Sequence, residues 1–300
     1  MADFAPRLGT ARLAACALLV NAFVWGVSWW PFRTLQGHGL HPLWTTAIVY
    51  GFATVCVLLA RRGAWRAAID YPGIWLLAIG SGVTNICFNW AVTEGDVVRV
   101  VLLFYLMPAW AMMLAWPLLG ERPRPVALVC LVLSLAGVVL VLKQPGSAWP
   151  LPSSLPDYLA IAGGFSFALV NVMLLKLRET PSQARMLGMF SGGAIMSLAV
   201  AVWGSASGWV PAMPAIDWSW VWLAAALSLA FLVSNLALQY GAARLQSSTT
   251  ALVMLSEIVF ASLSSVLLEA AVLNERTLWG GALILAAAVW AANTDNQPGL

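Results

Sequence analysis

Residues 97–122 read VVRVVLLFYLMPAWAMMLAWPLLGER, and residues 252–276 read LVMLSEIVFASLSSVLLEAAVLNER. Leu102-Leu103-Phe104-Tyr105-Leu106-Met107-Pro108 opens the first run, which closes on Leu118-Leu119-Gly120-Glu121-Arg122. Leu252-Val253-Met254-Leu255-Ser256-Glu257 opens the second, which closes on Leu267-Leu268 and, after a short insert, Leu273-Asn274-Glu275-Arg276. From Leu102 to Leu252 the offset is 150 residues, and a further apolar run follows each copy. Earlier landmarks keep a similar spacing: Asn85 with Trp90 answers to Asn235 with Tyr240, and Arg33, closing the first apolar run, answers to Lys176, closing the sixth. Each unit therefore holds five apolar runs. An odd number makes the second unit enter the membrane from the opposite side, so the pattern predicts an inverted repeat. Such repeats characterise alternating-access transporters with a site near the midplane between the halves.

The whole chain agrees with a membrane reading. Of 300 residues, 61% are hydrophobic and 9% charged, and mean hydropathy is +0.86. A soluble domain carries about 25% charge, so this chain has too little to coat a water-facing surface. The composition excludes disorder, a collagen-like fibre and an ordinary cytosolic enzyme. A net charge of +3 implies no nucleic-acid partner. Ten segments reach the length of about 20 apolar residues that a spanning helix needs: 13–32, 42–60, 72–92, 97–118, 125–142, 157–175, 186–203, 219–241, 246–268 and 277–293. Barrel strands would alternate over about ten residues, whereas these runs are longer and continuously apolar. The expected fold class is an all-α polytopic membrane protein, ten transmembrane helices as a 5+5 inverted repeat around a central cavity. Its units are residues 1–145 and 146–300.

Basic residues orient the segments. With the N-terminus inside, Arg7, Arg12, Arg61, Arg62, Arg66, Arg122, Arg124, Lys176, Arg178, Arg185 and Arg244 fall inside. Arg33, Arg99, Lys143 and Arg276 fall outside. Eleven against four favours both termini inside; the localisation expected is a bacterial inner membrane with cytoplasmic termini. Cys16, Cys56, Cys87 and Cys130 lie scattered in apolar runs and read as packing residues. His38 and His41 share an external connector and read as solvated. No Walker loop, GxSxG, HExxH or GxGxxG is present, so neither an enzyme nor a cofactor or metal is expected.

An ionisable group at membrane depth is a functional candidate, and Glu257 is the one carboxylate near mid-segment. It can pair with a substrate ammonium, carry a proton, or sit protonated against a neighbouring helix; the sequence leaves these open. Glu94, Asp96 and Arg99 crowd one outer connector and read as a solvated cluster, with a local ion-pair lid as the alternative. Amides and hydroxyls inside apolar segments, Thr84, Asn85 and Asn89, Asn171, and Ser234 with Asn235, suit either a cavity lining or interhelical hydrogen bonds. Among 17 Trp, Trp29, Trp30, Trp44, Trp149, Trp218, Trp220 and Trp290 sit at segment ends as interfacial belts. Phe23, Trp25, Phe88, Tyr105, Phe165 and Phe167 sit deeper, where rings offer a platform for apolar or cationic groups. Pro108 removes a backbone donor, shares a helix face with Tyr105 and Met112, and is a candidate hinge. Pro31 and Pro117 kink their own segments. Gly188 and Gly192 form a GxxxG, read as packing within the fold.

Together, Trp25-Gly26, Pro108 with Leu118-Leu119-Gly120-Glu121-Arg122, and Glu275-Arg276 with Gly280-Gly281-Ala282-Leu283-Ile284-Leu285 resemble the drug/metabolite transporter superfamily in its EamA-type branch. The stretch Phe104-Tyr105-Leu106-Met107-Pro108 is similar to the Tyr-Leu-x-Pro of YddG-type aromatic amino-acid exporters. The resemblance implies two five-helix bundles around a central cavity, lined at the matching positions by Thr84, Tyr105, Pro108 and Phe167. It also shows a departure: Glu257 stands where the first half has Pro108 and where relatives often carry proline.

The reading is an exporter of amino acids, aromatic and other neutral ones, and related metabolites. Its substrate-binding residues are Trp25, Thr84, Asn85, Phe88, Tyr105, Pro108, Phe167, Asn171, Asn235 and Glu257. The partners expected are a small-molecule substrate and the lipid bilayer, with a monomer sufficient. The alternatives are a multidrug or quaternary-ammonium exporter with Glu257 as counter-charge, a membrane-embedded lipid-modifying enzyme, and a channel.

Overall fold

A computed structural model describes residues 8–61, 63–120, 125–143, 151–242, 244, 253–270 and 274–294. These residues are helical, with connecting turns and no strand among them. In chain order the helices are α1 (Leu8–Val27), α2 (Trp29–Gly37), α3 (Pro42–Ala60), α4 (Ala64–Asp70), α5 (Gly73–Glu94), α6 (Val97–Phe104), α7 (Met107–Leu119), α8 (Pro125–Leu142), α9 (Leu155–Lys176), α10 (Ser182–Ala206), α11 (Trp218–Ala242), α12 (Ser256–Leu267) and α13 (Glu275–Thr294). Seven helical stretches are long and apolar enough to cross a membrane: Arg12–Gly37, Pro42–Ala60, Gly73–Glu94, Val97–Leu119, Leu155–Lys176, Ser182–Ala206 and Trp218–Leu238. Leu131–Val141 and Ser256–Leu267 are shorter apolar helices. The expected segments match these helices to within a few residues, except the ninth, of which 246–252 lie outside the described residues. The connector after α3 holds the short helix α4.

Interruptions fall where the sequence removes or competes for backbone hydrogen bonds. The first segment breaks at Ser28, whose hydroxyl donates to the Trp25 carbonyl at 2.8 Å, with Pro31 two residues into α2. The fourth breaks at Tyr105-Leu106. Pro108, in the first turn of α7, lacks the N–H that would bond the carbonyl four residues back, that of Phe104. The freed carbonyl leans on α9, where a Cβ on Gly164 would lie 2.5 Å from it. In the other half, the helix breaks at Leu255, a turn between Val253-Met254 and α12, and a Cβ on Gly26 would lie 2.8 Å from the Glu257 carbonyl. Each glycine lets its helix abut the backbone of an interrupted segment. The side chains of Pro108 and Met112 lie outside the described residues, as do Glu121 and Arg122.

The helices pack chiefly across the two halves. α3 and α5 lie on α10, α5, α6 and α7 on α9, α1 on α11 and α12, α3 on α11, and α8 on α13. Helices of one half thus find their main partners in the other. The crossing of α8 and α13 is reciprocal. A Cβ on Gly137 would meet the Gly280 carbonyl at 2.6 Å, and one on Gly280 would meet the Gly137 carbonyl at 2.6 Å. Gly188 faces Ile74 and Gly192 the Ala78 carbonyl, so that GxxxG works within the fold.

The end carrying Arg99 is tied by charge. Asp96 caps α6, accepting from the Arg99 N–H at 2.8 Å. The Arg99 guanidinium donates to both carboxylate oxygens of Asp157 at 2.7 and 2.9 Å and to the Val141 carbonyl at 2.7 Å. Arg33 bonds the Thr93 carbonyl at 2.9 Å and the Gly95 carbonyl. The cluster expected to be solvated is thus, at Arg99, a half-to-half clamp. His41, also expected in solvent, is buried and accepts from the Leu43 N–H at 3.3 Å. Trp29, Trp44 and Trp220, expected in belts, are buried too, their indole N–H groups bonded to Ser264 Oγ and to the Pro211 and Ala215 carbonyls.

Candidate substrate site

Two interrupted segments, one from each half, meet at Tyr105. The sequence puts Tyr105 at the turn between α6 and α7, and Glu257 in the first turn of α12. The Tyr105 hydroxyl lies 3.2 Å from Glu257 Oε2 and 3.3 Å from the Met254 carbonyl, so it can donate to either. Both residues are buried, at 3% and 8% exposure. Around them lies a continuous run of rings. Phe231 and Trp25 are 4.8 Å apart by centroid, Trp25 and Phe88 5.9 Å, Phe88 and Phe104 4.7 Å, and Phe104 and Phe167 5.4 Å. Ile258 and Ala261 of α12 close the same cluster. Phe88, Phe104 and Tyr105 are buried there, and Trp25 and Phe167 partly so.

The structure thus brings together Trp25, Phe88, Tyr105, Phe167 and Glu257, and separates the amides from them. Asn85 is buried towards α3 and α10. It accepts from the Tyr50 hydroxyl at 2.6 Å and donates to Ser81 Oγ at 3.2 Å. Asn89, one turn on, donates to Thr46 Oγ1 at 3.1 Å. Thr84 folds back on the Gly80 carbonyl at 2.8 Å and Asn235 on the Phe231 carbonyl at 3.0 Å. Asn171 is exposed, one helical turn beyond Phe167. Of the deeper rings, Phe23 and Phe165 point outward, at 50% and 43% exposure.

Four residues were not singled out by the sequence reading. Phe104, in the sequence one residue of a motif, joins the rings of Phe88, Tyr105 and Phe167. Tyr50 links Asn85 to Phe231, whose ring centroid is 6.0 Å away. A tyrosine alone in an apolar segment was the available signal for it. Asp157 was hidden because an acid at a helix start is ordinary there. Phe231 carried no signal.

Two apolar grooves open on the outside of the bundle, of about 680 and 240 Å³. The first lies where α5 and α9 cross, beside Trp110, and the second where α1 and α11 cross. Neither is lined by an expected site residue.

Known proteins resemble parts of this chain. Residues 12–143 match the EamA-like transporter family, so over that stretch the chain is similar to EamA-type proteins of the drug/metabolite transporter superfamily. Among its relatives, protein RarD of Salmonella typhi is 26% identical over 173 residues, 55% of this chain and 56% of RarD, and that of Escherichia coli is 25% identical over the same length. The chain thus spans little more than half the length of these relatives. A probable terminal-alkyne amino-acid exporter of Streptantibioticus cattleyicolor is 37% identical over 98 residues, 33% of this chain and 30% of the exporter. One solved crystal structure superposes with a TM-score of 0.59 at 18% identity, covering 95% of this chain and 99% of its own, which shows a shared fold.

Proposed function

We propose that the chain is an inner-membrane exporter of amino acids, aromatic and other neutral ones, and of related metabolites, working by alternating access. It would do so as ten membrane helices in a 5+5 inverted repeat with both termini cytoplasmic. The observation that carries this reading is the meeting of two interrupted segments, one from each half, at Tyr105, Met254 and Glu257 inside a cluster of rings. Discontinuous helices crossing between repeats are where transporters place their substrates.

The packing supports the repeat. Exchanging the first five apolar segments with the last five turns the α5–α9 pairing into α11–α1. It turns α6 and α7 on α9 into α12 on α1, and α5–α10 into α11–α3, while α3–α10 and α8–α13 map onto themselves. The eleven-to-four bias of basic residues supports the orientation. The exporter name borne by one relative supports the cargo class. In this reading the flat side chain of the cargo lies among Trp25, Phe88, Tyr105 and Phe167, and the segments hinge where Pro108 frees the Phe104 carbonyl. Asn85 then acts by holding α5 to α3 rather than cargo, and Asn235 bonds within its own helix.

Counterflow of labelled phenylalanine in proteoliposomes tests it. Saturable flux accelerated by internal phenylalanine is expected, with a loss of tenfold or more in Tyr105→Ala and in Phe167→Ala on the scale of a lost buried aromatic contact. Flux that neither saturates nor responds to internal substrate identifies a channel, and turnover in detergent without compartments identifies an enzyme; either result ends the reading.

A further inference from the structure

We propose that Glu257 recognises the ammonium group of the cargo, and that the Tyr105 hydroxyl holds that position while no cargo is bound. The proposal rests on the transporter reading for its purpose, but its chemistry stands on the site alone.

Glu257 sits at the crossing of the two interrupted segments with 8% of its surface exposed. A buried carboxylate requires a counter-charge or hydrogen-bond donors. Among the described residues, ion pairs join Arg99 to Asp157 and Arg178 to Glu179, and neither pair reaches Glu257. Its one described side-chain partner is the Tyr105 hydroxyl, at 3.2 Å. That hydroxyl has a second acceptor, the Met254 carbonyl at 3.3 Å. It can therefore leave the carboxylate without losing its hydrogen bond. Tyr105 is a donor with somewhere else to go, and a carboxylate that a neutral donor can vacate is open to a cationic one.

The neighbourhood suits an alkylammonium on an aromatic or apolar body. Trp25, Phe88, Phe104 and Phe167 share one packed cluster with Tyr105 and α12. Ring faces attract cations and supply the apolar contact that a phenyl or branched side chain needs. A carboxylate-only ligand would bring a second negative charge next to Glu257 with no described basic group beside it. The site therefore separates amines from their deaminated analogues. This adds to the proposed function a reason why amino acids and amines fit and plain carboxylic acids do not.

The test uses the purified full chain in detergent and reads binding by calorimetry, independently of flux. Phenethylamine, which keeps the ring and the amine, is expected to bind at least about tenfold more tightly than hydrocinnamate, which keeps the ring and the carboxylate, as one charge-assisted hydrogen bond gives. Glu257→Gln should remove that preference and Glu257→Asp should keep most of it. Tyr105→Phe, which vacates the position, should tighten phenethylamine binding several-fold. Equal binding of the two probes to the unaltered protein overturns the proposal, whatever the variants do. So does a preference that survives in a folded Glu257→Gln. Amine-selective binding without proteoliposome flux would leave this inference standing and remove the transport reading instead.

Discussion

The two parts of the fourth apolar segment are made of similar side chains and end in opposite surroundings. In α6, Val97, Val98, Val100, Val101, Leu102, Leu103 and Phe104 are all buried, held by α5, α8, α9, α12 and α13. In α7, Ala109 is the buried side chain among those described, while Met113 and Trp116 are 52% and 59% exposed; the packing partners of α7 are α8 and α9. The turn at Tyr105-Leu106 divides a clamped half from a loose one. A membrane gives no hydrophobic drive to pack one apolar helix on another, so the difference comes from specific devices. The clamped half has the Arg99 pair, the Gly164 seat for the Phe104 carbonyl and the ring cluster.

Removing the charge pair is the strongest way to break the contrast. Asp157 is nearly fully buried and Arg99 mostly so, and deleting one partner strands the other charge at a cost of about 3–5 kcal/mol. Asp157→Ala should therefore lower the melting temperature in detergent more than any substitution in α7. The Arg99→Ala, Asp157→Ala double variant should fall well short of the summed single losses. Additive losses would mean that the two side chains act separately and that α6 is clamped by packing alone.

Truncation compares the two halves directly. Phe104→Ala removes a ring touching three others and should cost about 3–5 kcal/mol, whereas Trp116→Ala should stay within about 0.5 kcal/mol, as for exposed positions. Parallel thermal melts of the two variants decide it, and similar losses would erase the distinction drawn here. A smaller effect is expected at the seat itself. Gly164→Ala places a methyl 2.5 Å from the Phe104 carbonyl, and overpacking of this kind costs about 1–3 kcal/mol. Gly120→Ala, with no neighbour within 4 Å of its Cβ but a φ of 75°, should cost about 1 kcal/mol through backbone strain alone.

What the sequence could disclose follows the same division. Helix positions were legible because run length and bounding Pro, Gly and charges are local properties; Pro42 and Ala60 fall on the expected edges. Tyr105 and Glu257 were legible because a polar group in an apolar run stands out. Their contact was not legible, because the repeat pairs Glu257 with Pro108 and says nothing of which side chains meet across the halves. Facing was illegible, because a helix in lipid can be apolar on all sides, so periodicity does not mark the buried face. Trp29 and Trp30 are adjacent and look alike in sequence, yet one is buried and the other is 49% exposed. Asn85 turned away from the rings for the same reason: nothing in its own segment says that Tyr50 waits on the next helix. The clamp of Arg99 on Asp157 joins residues 58 apart, and only the packing across the halves brings them together.

The clamped end holds one more device, and it gives the mildest prediction. Burial lowers the pKa of His41 below its usual value, opposed in part by the charge of Glu94. The neutral ring accepts the Leu43 N–H at the start of α3, and a protonated ring cannot. A base whose folded pKa is depressed contributes stability that is present above its unfolded pKa of about 6.5 and lost as pH falls below it through the folded value. Melting temperature should thus drop modestly between about pH 7 and pH 5. His41→Asn keeps an acceptor suited to a helix start without a titrating group, and it should flatten that part of the profile while leaving the plateau above pH 7 near the original. A slope unchanged in His41→Asn would assign the acid sensitivity to another group and leave α3 capped independently of pH.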